Sequence, residues 1–153
     1  MLELIDTPLR LPTMSDLAIE RVRDAENAES LKPQVEFDTQ HVLHAGLYAR
    51  TIRLPVGVQI TGALVKIATV VIVSGDCIVW FGYGSRRLIG YNVLPASAGR
   101  KQAFVALSET FITMLFPTEA KTVEDAERQF TDEADRLASH RDDARNAIIV
   151  TGE

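Results

Sequence analysis

The sequence predicts a mainly β fold, a single small antiparallel barrel or jelly roll flanked by an N-terminal arm and helix and by a C-terminal amphipathic helix. Three observations predict it. Residues 46–116 carry short apolar runs punctuated by Gly, Pro and Ser, the pattern of closely spaced antiparallel strands. No helical period interrupts these runs, which argues against a parallel α/β sheet. The chain has 153 residues, enough for one ordinary core and too few for two. The expected division is an arm and helix over 1–34, a barrel over 35–117, and a helix and tail over 118–153.

Residues 1–14 hold Pro8 and Pro12 without a clear period and read as an extended arm. Ser15 can cap a helix over about 16–31, which Pro33 ends. Leu17, Val22 and Ala25 are its apolar positions among many charges, so it should bury little surface and need a partner to be stable. Val35–Phe37 reads as a first strand and Leu47–Leu54 as a second. Alternation puts Tyr48, Arg50, Ile52 and Leu54 on one face of the latter. Pro55-Val56-Gly57 is a turn, followed by strands at Gln59–Leu64 and Thr69–Val73. Ser74-Gly75-Asp76 reads as a tight turn before a strand at Cys77–Phe81. After the loop Gly82-Tyr83-Gly84-Ser85 come Arg86–Leu88 and Tyr91–Leu94, and Gln102–Leu107 and Phe111–Phe116 close the sheet. Thr122 caps a helix of about 15 residues whose apolar face is Val123, Ala126, Phe130, Ala134 and Leu137. Residues 139–147 read as loose, and Ile148-Ile149-Val150 as a tail able to add a strand to a sheet edge.

Composition narrows the function classes. The formal net charge is −5, which disfavours nonspecific binding to nucleic acid or membrane surfaces. Cys77 is the one cysteine and lies in an apolar run, a buried core thiol with no disulfide partner. The N-terminus lacks the pattern of a signal peptide and the apolar runs are shorter than a membrane span. A cytoplasmic protein, bacterial or viral, is the expectation.

The Gly/Pro skeleton resembles that of the cupins. Their first motif, G-x5-H-x-H-x3,4-E-x6-G, lies on Gly57 through Gly75, and their second, G-x5-P-x-G-x2-H, follows Gly90, Pro95 and Gly99 with irregular spacing. Where cupins place metal-binding His and Glu, this chain has Ala63, Val65 and, near the Glu position, Ala68; Gln102 stands at the second-motif His. A finer resemblance is to small cupin-like proteins of bacteriophages and prophages. It rests on Tyr48, Arg50, Ile52, Pro55 and Gly57, then Gly62 and Lys66, Gly75, then Pro95, Gly99 and Lys101, then the helix from Val123. Val65 and Thr69 replace histidines that many such proteins carry. The resemblance implies a retained scaffold whose metal pocket is filled with apolar side chains, hence no metal and no cofactor, because Val and Ala donate no ligand atom.

The remaining candidates are few. His41 and His44 lie three apart: on one strand they face opposite sides and would not share a metal, whereas on a turn they could, which leaves a metal enzyme with displaced ligands as a third reading; His140 falls in the polar tail. Arg86-Arg87 and Arg100-Lys101 are adjacent basic pairs, the second in the loop matching the second motif, where an anion could be held. Tyr48, Trp80, Tyr83 and Tyr91 are aromatic candidates for core or cavity. Glu36, Asp38, Asp76 and Glu109 are the carboxylates near the barrel, with Asp76 assigned to its turn. The pocket set is therefore Tyr48, Lys66, Arg100, Lys101 and Gln102. The leading expectation is a non-enzymatic structural or accessory protein, phage-encoded, virion- or assembly-associated, homo-oligomeric, with other virion proteins as partners. The alternative is a metal-independent cupin that binds a small molecule, as an isomerase, epimerase or regulator.

Overall fold

Strands, most of them with alternating burial, are the main regular structure of the chain. The structure is a computed structural model that describes residues 10–142 and 144–153; residues 1–9 of the expected arm lie outside the described residues. Its elements are α1 (Asp16–Glu29), β1 (Asp38–His44), β2 (Leu47–Leu54), β3 (Gln59–Thr61), β4 (Thr69–Trp80), β5 (Ser85–Ala96), β6 (Ala103–Ala106), β7 (Thr110–Pro117), α2 (Val123–Phe130) and β8 (Arg145–Val150). The strands form one eight-stranded sheet ordered β3-β6-β4-β7-β2-β1-β8, with β5 on the other edge of β4. The fold is mainly β, a sheet curled into a barrel-like half with its apolar face inward.

β2 has the predicted ends and faces: Tyr48 and Leu54 are fully buried and Leu47 is exposed. It pairs with β1 through Ala45 and Gly46, both at positive φ. The first strand begins at Asp38, so Val35–Phe37 is not a strand.

The expected turn at Ser74-Gly75-Asp76 is not a turn. β4 runs through it as one 12-residue strand, paired along its length with the equally long β5. What changes there is the partner on the other edge: Val70–Ser74 pair with β7, and Cys77–Trp80 pair with β6. Gly75 has φ +146, and a Cβ there would lie 2.6 Å from Thr110 Oγ1 and 2.8 Å from the Glu109 carbonyl. Glycine lets the β6–β7 connection press against β4. The Asp76 carbonyl accepts from the Leu107 and Ser108 amides, and its carboxylate accepts from Arg87, so Asp76 serves this junction and an ion pair.

The main core gathers Leu54, Val71, Val73, Cys77, Val79, Leu88, Leu94, Phe104 and Ile112 under Leu11. A second cluster joins Tyr48, Phe116 and Val65 to Val123, Ala126, Phe130 and Leu137. α2 is shorter than expected: it stops at Phe130, and two 3-10 turns, Ala134–Arg136 and Ala138–His140, carry the chain onward. The predicted apolar positions still face the sheet. Thr122 caps α2 through the Asp125 amide, and Ser15 caps α1 through the Ala18 amide.

α1 does not wait for a partner. Ala18 and Val22 are buried with Met14 and pack beside Trp80. Gly82 permits the approach, because a Cβ there would sit 2.4 Å from the Ala18 carbonyl. The described residues of the stretch over 139–147 are not loose either. Ser139 is buried, and β8 lies parallel to β1 on the sheet edge, so the apolar tail adds its strand to this chain's own sheet.

Candidate functional site

The inner face of the sheet encloses a cavity of about 680 Å³, within the ~300–1,000 Å³ range of small-molecule sites. Ile52 of β2, Val58, Ile60 of β3, Val71 of β4, Phe104 of β6, and Ile112 and Met114 of β7 supply apolar wall. Ser30, Lys32, Pro33, Gln34, Val35 and Phe37, after α1, line the cavity together with Arg136 and Arg141.

Arg100 and Gln102 are the buried polar members of this wall. Their place follows from the pairing of Val65 with Arg100: the Val65 amide donates to the Arg100 carbonyl at 2.9 Å, and the Gly99 amide donates to Val65. Arg100 is 2% exposed. Its Nη1 donates to the Ser97 carbonyl at 2.7 Å and, longer, to that of Ile67 at 3.4 Å; Nη2 donates to Thr69 Oγ1 at 2.7 Å and faces Met114 Sδ at 3.8 Å. All four acceptors are neutral. No described carboxylate lies within ion-pair distance, and burial alone lowers the guanidinium pKa to about 10. The group stays charged near neutral pH, and a buried charge without a counter-charge costs several kcal/mol. Gln102 Nε2 is buried with no hydrogen-bond partner, a further cost of about 1–3 kcal/mol.

Arg50 and Lys101, near the cavity, both have carboxylate partners. Arg50 Nη1 bonds Glu127 Oε2 at 3.0 Å and its Nη2 bonds Ser139 at 2.9 Å. Glu127, 2% exposed, also meets His140 Nε2 at 2.8 Å. Lys101 Nζ, 1% exposed, donates to the Gly62 carbonyl at 2.9 Å and to Glu26 at 3.1 Å, with Glu133 at 3.6 Å. Glu133 in turn binds Arg23 at 2.8 Å. Burial by itself would raise the Glu133 carboxyl; the Arg23 bond and the Lys101 charge outweigh it and hold the group below its ordinary value. Lys101 thus ties α1 to the segment after α2 and does not line the cavity.

Of the pocket candidates Tyr48, Lys66, Arg100, Lys101 and Gln102, Arg100 and Gln102 line the same cavity and the rest do not. Lys66 is exposed and bonds Asp132 at 2.6 Å. Tyr48 is core, stacked with Phe130 and edge-on to Phe116. None of Tyr48, Trp80, Tyr83 and Tyr91 lines the cavity; Tyr83 and Tyr91 are exposed. His41 is buried, with Tyr48 OH donating to Nδ1 and Nε2–H donating to Asn146 Oδ1, each at 2.7 Å. Desolvation lowers its pKa, against the pull of the Asn146 bond, which favours this single neutral tautomer. His44 is exposed and bonds Thr151. The two histidines therefore cannot share a metal. Arg86 is exposed, and Glu109 pairs with Arg53.

The donor set does not fit a cupin metal. Ala63 and Val65 line the cavity and Ala68 is exposed. Among the described residues no three of His, Cys, Asp and Glu converge. Likewise, among the described residues no helix is long and apolar enough to cross a membrane.

No family model and no curated protein matches the sequence. Solved structures do match. A cupin-2 domain containing protein from Shewanella frigidimarina is 15% identical with a TM-score of 0.44, over 65% of this chain and 97% of that one. KdgF from Halomonas sp. is 18% identical with a TM-score of 0.46, over 58% of this chain and 86% of that one. The cupin-2 domain of an XRE family transcriptional regulator from Enterobacter cloacae is 14% identical with a TM-score of 0.44, over 53% and 97%. The structural neighbours thus include cupin-2 domain proteins, at a similarity too low to transfer a residue's role or an activity.

Proposed function

We propose that the chain is a cupin-like barrel that binds a small molecule in its interior without a metal. One observation carries this reading: a cavity with an apolar inner wall holds two buried polar groups, the Arg100 charge and the Gln102 amide, that the protein itself leaves uncompensated. Native side chains rarely leave such groups without a purpose. The role is holding, because a guanidinium with a pKa near 10 keeps its proton at neutral pH. Fragment screening by ligand-observed NMR tests it, with Ala63→Phe filling the wall. Binding in the wild type that Ala63→Phe abolishes supports the reading; binding unchanged by Ala63→Phe refutes it.

A structural or accessory role as an oligomer, including the virion-associated version, is the second reading, and the outer face of the sheet favours it. The β pairing aligns Pro95, Val70, Leu115, Ala49, Val42 and Ile149 in one row across six strands. Val93, Ile72, Tyr91 and Phe111 extend the patch, with Val93, Tyr91 and Phe111 exposed. At ~4.8 Å per strand the row is about 24 Å wide. Its charges are already paired, Arg53 with Glu109 and Arg145 with Asp38, so a second copy meets no net repulsion. Sedimentation velocity at tens of micromolar checks it: a dimer that Val93→Arg dissociates supports this face, and a wild-type monomer removes it. Mass spectrometry of phage particles tests the virion version, which requires a fixed copy number of this chain.

A further inference from the structure

The chemistry of the missing counter-group defines a ligand class. Lys32, Arg136 and Arg141 lie at the mouth of the cavity; of the more deeply set cations Arg50, Arg100 and Lys101, the fold supplies carboxylates to two. Arg50 meets Glu127 and Lys101 meets Glu26; Arg100 meets the Ser97 and Ile67 carbonyls, the Thr69 hydroxyl and a thioether. A thioether is a poor acceptor for a guanidinium, and Met114 is a flexible side chain that an entering group can displace. Two residues along the chain, Gln102 presents an Nε2 donor with no acceptor. Around both lie Ile52, Ile60, Val71, Phe104 and Ile112.

We infer that the cavity takes a small monocarboxylate with an apolar body, its carboxylate seated on Arg100 and an oxygen accepting from Gln102 Nε2. This rests on the reading of the cavity as a binding site. One guanidinium neutralises one negative charge. A phosphate dianion seated on Arg100 would leave one charge unmatched beside the apolar inner wall, away from the cations of the mouth, where an unpaired charge is disfavoured. A neutral amide or alcohol would leave Arg100 as it is. A carboxylate matches the guanidinium in charge and planar geometry, and the hydrocarbon wall accommodates its body.

The test titrates the full chain with phenylacetate and octanoate, each against its primary amide, and with phenyl phosphate, by ligand-observed NMR and calorimetry. The carboxylates are expected to bind about tenfold or more tightly than their amides and more tightly than phenyl phosphate. Arg100→Met should abolish that preference while leaving amide binding in place. Gln102→Leu, which removes only the unpartnered amide, should weaken carboxylate binding severalfold and serves if Arg100→Met does not fold. Amides binding as well as carboxylates would overturn the ligand class and leave the cavity reading standing. Phenyl phosphate binding best would replace the carboxylate by a phosphate. If none of the five probes binds the wild type, both this inference and the cavity reading fall.

Discussion

Gly75→Ala probes the junction at which β4 changes partner. The new Cβ would meet Thr110 Oγ1 at 2.6 Å, the Glu109 carbonyl at 2.8 Å and Thr110 Cα at 2.9 Å. Two of these three atoms are backbone, so no rotamer change relieves the clash. A strained φ costs about 1–3 kcal/mol, and overpacking of this kind adds about 1–3 kcal/mol. The expected destabilisation is about 2–6 kcal/mol. Gly90 provides the control, because it sits directly opposite Gly75. Its φ is +79, and a Cβ there meets nothing within 4 Å. Gly90→Ala should therefore carry only the left-handed penalty of about 1–2 kcal/mol. Urea denaturation followed by the fluorescence of Trp80, the one tryptophan, measures both. If Gly75→Ala costs no more than Gly90→Ala, the close approach of the β6–β7 connection is not what glycine serves here.

Three further outcomes are expected. Glu127→Ala leaves Arg50 buried without its carboxylate and should cost about 3–5 kcal/mol in urea, with Glu127→Gln costing less; a loss under about 1 kcal/mol would show that the pair is not needed. His41 has a depressed folded pKa caused mainly by desolvation, so the unfolded chain takes up its proton first as pH falls. Stability from this group is therefore fully present above about 6.5 and declines as pH drops through that value toward the lower folded one; a wild-type and His41→Gln pair with identical stability slopes between pH 7 and 5 would contradict this. Cys77 is fully buried and burial raises its thiol to about 11, so a thiol-specific disulfide reagent should label it only at the rate of unfolding, and rapid labelling in native buffer would disprove that burial.

The legible parts of the fold were those fixed by local alternation and caps. β2 matched because Tyr48 to Leu54 alternate up to a Pro-Gly turn, and both helix starts matched because Ser15 and Thr122 are strong caps. Gly75 was misread because a positive-φ glycine looks the same in a turn and at a change of strand partner; the difference lies in β6 and β7, some thirty residues away. The end of α2 was misplaced because Ala134 and Leu137 keep helical spacing while 3-10 turns deliver them to the same face. The self-sufficiency of α1 was hidden, since its partners Trp80 and Gly82 follow only from the three-dimensional approach. Within the site, the basic pair at Arg100-Lys101 was visible, yet adjacency could not tell which cation is neutralised. The bridge between Val65 and Arg100 sends one inward and the other to Glu26.

The parallel docking of β8 on β1 has a consequence for the order in which this chain acquires its shape. The His41 to Asn146 bond spans 105 residues, whereas β1 and β2 are joined by a two-residue turn, Ala45-Gly46. Loop-closure entropy disfavours the distant pairing until intervening contacts shorten the effective loop. The β1–β2 hairpin is therefore an early event and the β1–β8 edge a late one. During synthesis the free edge of β1 stays open until residue 150 has left the ribosome, which makes that edge the point where a nascent chain is most exposed to pairing with a neighbour.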